Sequence, residues 1–162
     1  MHLETLLLEK QDGVAVITFN RPHKKNAINP TMNGEILALL ETLRYDDDAR
    51  VLVLTGAGDS FCSGLDLKEM ITDLEADPVE YDRQTRALLE WRGRTLRHYP
   101  KPIIAMVNGY CFGGAFSVVE GCDLAIAAED AIFGLSEINF KLFPAGAVSK
   151  TIANLLRPRD AL

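Results

Sequence analysis

Two glycine-bearing loops and one glutamate hold the residues best suited to chemistry. Ser63-Gly64-Leu65-Asp66-Leu67 lies downstream of the apolar run 51–54 (VLVL), and Gly109-Tyr110-Cys111-Phe112-Gly113-Gly114-Ala115 follows the run 103–107 (IIAMV). Glycine allows a sharp turn or a close backbone approach in each. Each also leads into a predicted helix, whose first N–H groups lack partners within the helix. Two such N–H groups aimed at one spot form an oxyanion hole, which stabilises negative charge developing on a carbonyl oxygen. Taken singly, a glycine turn between strand and helix is what any α/β fold needs, so neither loop is diagnostic alone.

The acid/base candidate is Glu137, within Phe133-Gly134-Leu135-Ser136-Glu137-Ile138-Asn139-Phe140. Apolar neighbours disfavour a charged carboxylate and raise its pKa toward a useful value, although a solvated surface glutamate has the same composition. Asp123, within Gly121-Cys122-Asp123-Leu124, reads as a structural hydrogen-bonding carboxylate. Ser117 has no histidine in a triad-like context, because His2, His23 and His98 all stand in polar or helical surface settings. A Ser-His-Asp hydrolase is therefore a poor reading. Cys62 and Cys111 lack a basic partner and read as buried, inert thiols. Gly56-Ala57-Gly58 lacks the third glycine of a dinucleotide fingerprint, and no loop offers GxxxxGK[ST].

Composition narrows the class further. A chain of 162 residues, 48% hydrophobic and 25% charged, suits one globular domain with a real core. A net charge of −6 opposes binding to a phosphate backbone, so no nucleic-acid partner is expected. Three cysteines without CxxC spacing suggest neither a disulfide framework nor a zinc site. No signal-peptide pattern stands at the start, and no apolar stretch reaches the ~18 residues needed to span a membrane. The expected setting is cytoplasmic, away from membranes.

The elements that must position these residues alternate between β and α. Residues 14–19 (VAVITF) read as a strand entered through Gln11-Asp12-Gly13. Asn29 is a plausible N-cap with Pro30 at the first helical position. Met32, Ile36, Leu39, Leu40 and Leu43 then give helical spacing over 31–45. Runs 51–54, 103–107 and 124–127 read as strands, unbroken enough to suggest a sheet buried on both faces. Helices are predicted over 65–74, from Pro78 toward His98, over 113–121 and over 148–156. The fold class is thus α/β, a repeat of strand, glycine loop and helix.

Taken in order, several segments resemble the enoyl-CoA hydratase/isomerase (crotonase) superfamily over nearly the whole chain, 1–162. The carriers begin with Asn20-Arg21-Pro22, Lys25-Asn26-Ala27 and Val51-Leu52-Val53-Leu54-Thr55-Gly56. Next come Phe61-Cys62-Ser63-Gly64-Leu65-Asp66-Leu67, Lys101-Pro102-Ile103-Ile104-Ala105-Met106-Val107-Asn108-Gly109 and Gly113-Gly114. The last are Cys122-Asp123-Leu124-Ala125-Ile126-Ala127 and Phe133-Gly134-Leu135-Ser136-Glu137. The resemblance implies a spiral of ββα repeats, a C-terminal helical trimerisation region that this chain lacks, and homotrimers or hexamers at full length. It implies an acyl-CoA thioester as substrate and no metal or redox cofactor, coenzyme A entering as part of the substrate.

By the same resemblance, the N–H groups of Leu65 and Gly114 hold the thioester oxygen. Lys24, Lys25, Asn26, Ala27, Ser63, Gly64 and Asp66 contact the CoA portion, with Leu67, Met70, Gly113 and Phe140 completing the substrate contacts. Glu137 is the acid/base, with Ser117 opposite it. A single glutamate with serine opposite resembles the hydroxycinnamoyl-CoA hydratase-lyase branch, which hydrates the acyl-CoA and then cleaves it to an aldehyde and acetyl-CoA. Departures from that branch are Met70 for a tyrosine, Ala115 for the third glycine, Phe140 for a tryptophan, and Lys141-Leu142-Phe143-Pro144-Ala145 for Gly-Ile-Pro-Pro-Gly. The alternatives are another enoyl-CoA hydratase or isomerase, and a non-catalytic CoA-binding module.

Overall fold

The computed structural model describes residues 2–143, together with residues 150, 153 and 157. In chain order it gives β1 (Leu6–Gln11), β2 (Val14–Phe19), α1 (Pro30–Arg44), β3 (Val51–Gly56), β4 (Ser60–Cys62), α2 (Pro78–Leu89), β5 (Ile103–Val107), β6 (Tyr110–Phe112), α3 (Ala115–Gly121), β7 (Leu124–Ala127) and β8 (Phe133–Gly134). The helix expected over 148–156 lies largely outside the described residues, as do Pro144 and Ala145.

Five strands form the larger sheet in the order β1-β2-β3-β5-β7, and β4-β6-β8 form a second, smaller one. β1 and β2 are an antiparallel hairpin. Its turn residues Asp12 (φ 53) and Gly13 (φ 86) are both left-handed, the twist that suits a two-residue hairpin. All the other pairings are parallel. Each of β3, β5 and β7 is followed by a short strand of the second sheet, and the first two of these pairs continue into α2 and α3. The chain therefore repeats a strand-strand-helix unit, and equivalent loops of successive units come to lie side by side.

The core follows from the strand alternation. Ala15, Ile17 and Phe19 on β2, Leu52 and Leu54 on β3, and Ile103, Ala105 and Val107 on β5 are all buried. They lie in one cluster with Met32, Ile36, Leu39, Leu40 and Leu43 of α1, and each fully buried Leu or Ile contributes about 1.5–3 kcal/mol. α1 starts as the sequence predicts: the Asn29 side chain accepts from the Met32 N–H at 2.9 Å, with Pro30 at the first position. Trp91 is fully buried, and its indole N–H donates to Asn33 Oδ1 at 2.8 Å. That bond accounts for a buried asparagine on the apolar face of α1.

Three elements differ from the sequence expectation. The predicted 65–74 helix is only one wide turn, Lys68–Thr72. Asp66 delays its start, since its carboxylate takes the Glu69 N–H at 3.2 Å, and Pro78 then opens α2. The helix expected to run from Pro78 toward His98 ends at Leu89 and continues as a wide turn, Glu90–Thr95, and a short tight one, Leu96–His98. Finally, β7 is not buried on both faces: Leu124 and Ile126 are 62% and 63% exposed, at the edge of the larger sheet as described.

Candidate active site

The two glycine loops leave β4 and β6, which pair in parallel with Cys62 opposite Cys111. Each turns on a left-handed glycine, Gly64 at φ +91 and Gly113 at φ +52, immediately before the residue whose N–H is of interest. The loops abut: a Cβ on Gly64 would stand 3.0 Å from the Phe112 carbonyl oxygen and 3.2 Å from the Gly114 nitrogen. Among the described residues, no acceptor engages the N–H of Leu65 or of Gly114. Both residues line one cleft of about 620 Å³. Two backbone donors on touching loops can receive negative charge developing on a bound carbonyl oxygen.

Lys24, Ala27, Ser63, Gly64, Asp66 and Leu67 also line this cleft, as do Met70, Gly113, Glu137 and Phe140. Glu137 opens a short tight turn, Glu137–Phe140. Its Oε1 lies 3.0 Å from where a Cβ on Gly113 would stand, and its Oε2 is buried without a hydrogen-bond partner. The carboxylate thus faces the second donor loop with one oxygen uncommitted, in place to take or give a proton on whatever that loop holds.

Three expected site residues do not line the cleft. Asn26 is fully buried, its Oδ1 accepting from the Arg21 N–H at 2.9 Å and its Nδ2 donating to the carbonyls of Ala57 (2.9 Å) and Ser60 (2.7 Å). It shapes its loop from within and presents no side chain to a ligand. Lys25 pairs with Asp59 at 2.7 Å and lies over the Tyr110 ring, 4.7 Å from its centroid. Ser117 is buried in α3, and its N–H donates to the Gly114 carbonyl at 3.2 Å. It lies in the first turn of α3, off the described cleft lining.

A buried network joins the two segments expected to meet CoA. Arg21 donates to the Ala27 carbonyl (2.7 Å), to Asp66 Oδ2 (3.2 Å) and to Glu69 Oε1 (2.6 Å), while Glu69 Oε2 accepts from the Asn29 amide at 2.7 Å. Burial pushes the Asp66 carboxyl up, but the Glu69 N–H and the Arg21 guanidinium outweigh it and hold the carboxyl below its ordinary value. The backbone adds the Ile28 N–H to the Gly64 carbonyl (2.8 Å) and the Asp66 N–H to the Ile28 carbonyl (2.9 Å).

Cys62 and Cys111 are buried, as their sequence context suggests. Burial pushes Cys62 up to about 11 and Cys122 up to about 12, and it raises Cys111 as well. Asp123 keeps the structural role expected of it, accepting from the Ile103 N–H at 2.8 Å. Among the described residues, no group of three His, Cys, Asp or Glu side chains could hold a metal ion, and no helix is long and apolar enough to cross a membrane.

The rest of the cleft wall escaped the sequence reading. Tyr81, Thr85, Leu88 and Leu89 of α2 line it, with Arg92 from the wide turn that follows. Their three- and four-residue spacing is the helical signal that could have found them. Nothing in the sequence marked that face as the one turned to a ligand.

Repeated strand-strand-helix units around paired backbone-donor loops define a spiral α/β domain of the crotonase type. The chain belongs to the enoyl-CoA hydratase/isomerase family, whose profile matches residues 9–161. It is 48% identical to a hydroxycinnamoyl-CoA hydratase-lyase of Pseudomonas fluorescens, covering 98% of this chain and 58% of that protein. It is 38% identical to the mevalonyl-coenzyme A hydratase sidH of Aspergillus fumigatus, covering 89% and 51%. The crystal structure of an enoyl-CoA hydratase from Shewanella pealeana superposes with a TM-score of 0.84 at 31% identity, covering 98% and 59%. The chain therefore spans little more than half the length of these relatives.

Proposed function

We propose that the protein acts on α,β-unsaturated acyl-CoA thioesters, adding water and then cleaving the product by a retro-aldol step to an aldehyde and acetyl-CoA. The observation that carries this is the meeting of the Leu65 and Gly114 N–H groups with the uncommitted Glu137 carboxylate on one cleft. The 48% identity to a hydroxycinnamoyl-CoA hydratase-lyase supports an aromatic acyl group of the feruloyl kind.

In hydration, Glu137 removes a proton from water as its oxygen bonds to Cβ. The electron pair of the double bond moves to the thioester oxygen as an enolate, which the two N–H groups stabilise, and Cα then takes the proton. In cleavage, Glu137 removes the β-hydroxyl proton. The aldehyde carbonyl forms as the Cα–Cβ bond breaks, and the pair is held as the acetyl-CoA enolate until Cα is protonated. Both steps develop charge at the same oxygen, so one set of preorganised donors serves them both.

A hydratase without the cleavage step is the second reading, and Met70 favours it. This residue is buried on the cleft wall and, unlike a tyrosine, has no donor for a phenolic oxygen. Mixing the protein with feruloyl-CoA and with an aliphatic enoyl-CoA separates the two. Aldehyde release marks the lyase, and loss of the conjugated absorbance without aldehyde marks the hydratase. Glu137→Gln should lower turnover by about 10²–10⁴-fold while leaving thioester binding in place; unchanged turnover sinks both readings.

A further inference from the structure

Arg92 is a buried cation with no counter-ion among the described residues. It is 4% exposed, its Nε is buried without a partner, and no described carboxylate lies within ion-pair distance. Its Nη1 donates to the Gly114 carbonyl at 2.8 Å, the residue whose own N–H is one of the two donors. Leu88 and Leu96, four residues to either side, are both buried, so the cation occupies the middle of an otherwise apolar stripe. A desolvated, unpaired guanidinium costs stability, and a position where the apolar pattern fails at such a cost is where function is expected. Burial lowers the guanidinium to about 10, which leaves it charged at neutral pH, while the neighbouring Cys62 thiol is pushed up to about 11 and stays neutral.

Resting on the enolate reading above, we infer that Arg92 is a positioning residue for the oxyanion: it fixes the Gly114 peptide through its carbonyl and supplies a positive charge that the enolate completes. A field of this kind acts strongly because the cation sits out of water. Among the described residues the charge is unpaired, and the enolate state supplies a partner. That difference between ground and reacting states is what lowers a barrier.

Acetoacetyl-CoA is the probe, since its acidic α-C–H ionises to an enolate with its own near-ultraviolet absorption. The pH at which the bound ligand ionises is measured for the full chain, for Arg92→Gln, which keeps a donor for the Gly114 carbonyl, and for Arg92→Lys, which keeps the charge. S-ethyl-CoA, lacking the carbonyl, reports folding and CoA binding. Arg92→Gln should raise the ionisation of bound acetoacetyl-CoA by about one pH unit, a tenfold change, and Arg92→Lys should restore most of it, with S-ethyl-CoA affinity unchanged in both. The kcat for the preferred acyl-CoA should fall about tenfold in Arg92→Gln with KM little moved, less than the roughly 10²–10³ lost with a direct donor.

An unshifted titration in Arg92→Gln overturns the role of Arg92 and leaves the enolate reading standing. Equal losses for acetoacetyl-CoA and S-ethyl-CoA also overturn it, by showing an architectural residue. No enolate signal from the unmodified protein overturns the enolate reading itself, and the role of Arg92 with it.

Discussion

Gly64 stands so close to Gly114 that a Cβ on the first would come within 3.2 Å of the amide nitrogen of the second. The contact leaves room for backbone and nothing more, and the left-handed φ of +91 excludes a side chain on conformational grounds as well. Gly64→Ala should cost about 1–3 kcal/mol in stability from strain alone. Displacing the Gly114 N–H should lower turnover by about 10²-fold. Thermal unfolding and steady-state kinetics on the same preparation measure the two effects, and an alanine variant with full kcat would refute the loop geometry.

Asn26 and Lys25 are neighbours with opposite expectations. Asn26→Ala removes three hydrogen bonds, two of them buried, and strands their partners, each buried one at about 1–3 kcal/mol in the worst case, so the urea midpoint should drop sharply. Lys25→Ala breaks an exposed, solvent-screened ion pair and should leave that midpoint almost unchanged.

Acid should loosen the network around Arg21. The Asp66 carboxyl is held below its ordinary value in the folded protein. Its contribution to stability is therefore complete above about pH 4, the ordinary aspartate value, and is lost as pH falls through the lower, folded value. Denaturation followed from pH 6 downward should show this loss, and Asp66→Asn should be less stable at pH 6 and flatter toward acid.

The three thiols should resist alkylation at pH 8. With Cys62 pushed up to about 11 and Cys122 up to about 12, almost no thiolate exists in the folded state. All three should react with iodoacetamide only after denaturation, which mass spectrometry reads directly. Rapid labelling of Cys62 in the native protein would contradict its burial against the Gly64 loop.

Much of this architecture is legible in the residues, and what is not has physical reasons. α1 could be read because Asn29, Pro30 and five spaced apolar residues agree with one another, and β2, β3 and β5 because their apolar runs are long for their turns. The second sheet could not, since strands as short as Ser60–Cys62 and Phe133–Gly134 carry too little pattern to show a period. β1 was hidden by LLLEKQ, where alternation breaks down on a strand mostly open to solvent. The donor loops were visible through their glycines. Arg92 was not, because arginine is ordinarily a surface residue and only packing shows that this one is enclosed. The resemblance alone set Ser117 opposite Glu137, and the structure buries it in α3, off the described cleft lining.

On the proposed reading the donors of the site belong to the main chain, once from the unit carrying Gly64 and again from the unit carrying Gly113. Among point substitutions only proline deletes a backbone N–H; any other can only bend the loop that aims it. The reactive centre thus depends less directly on the side chains of the surrounding wall, such as Tyr81 and Phe140. On the proposed reading, selectivity for the acyl group rests on the wall and the chemistry at its thioester on the main chain, so altering the wall is the route to a new acyl chain.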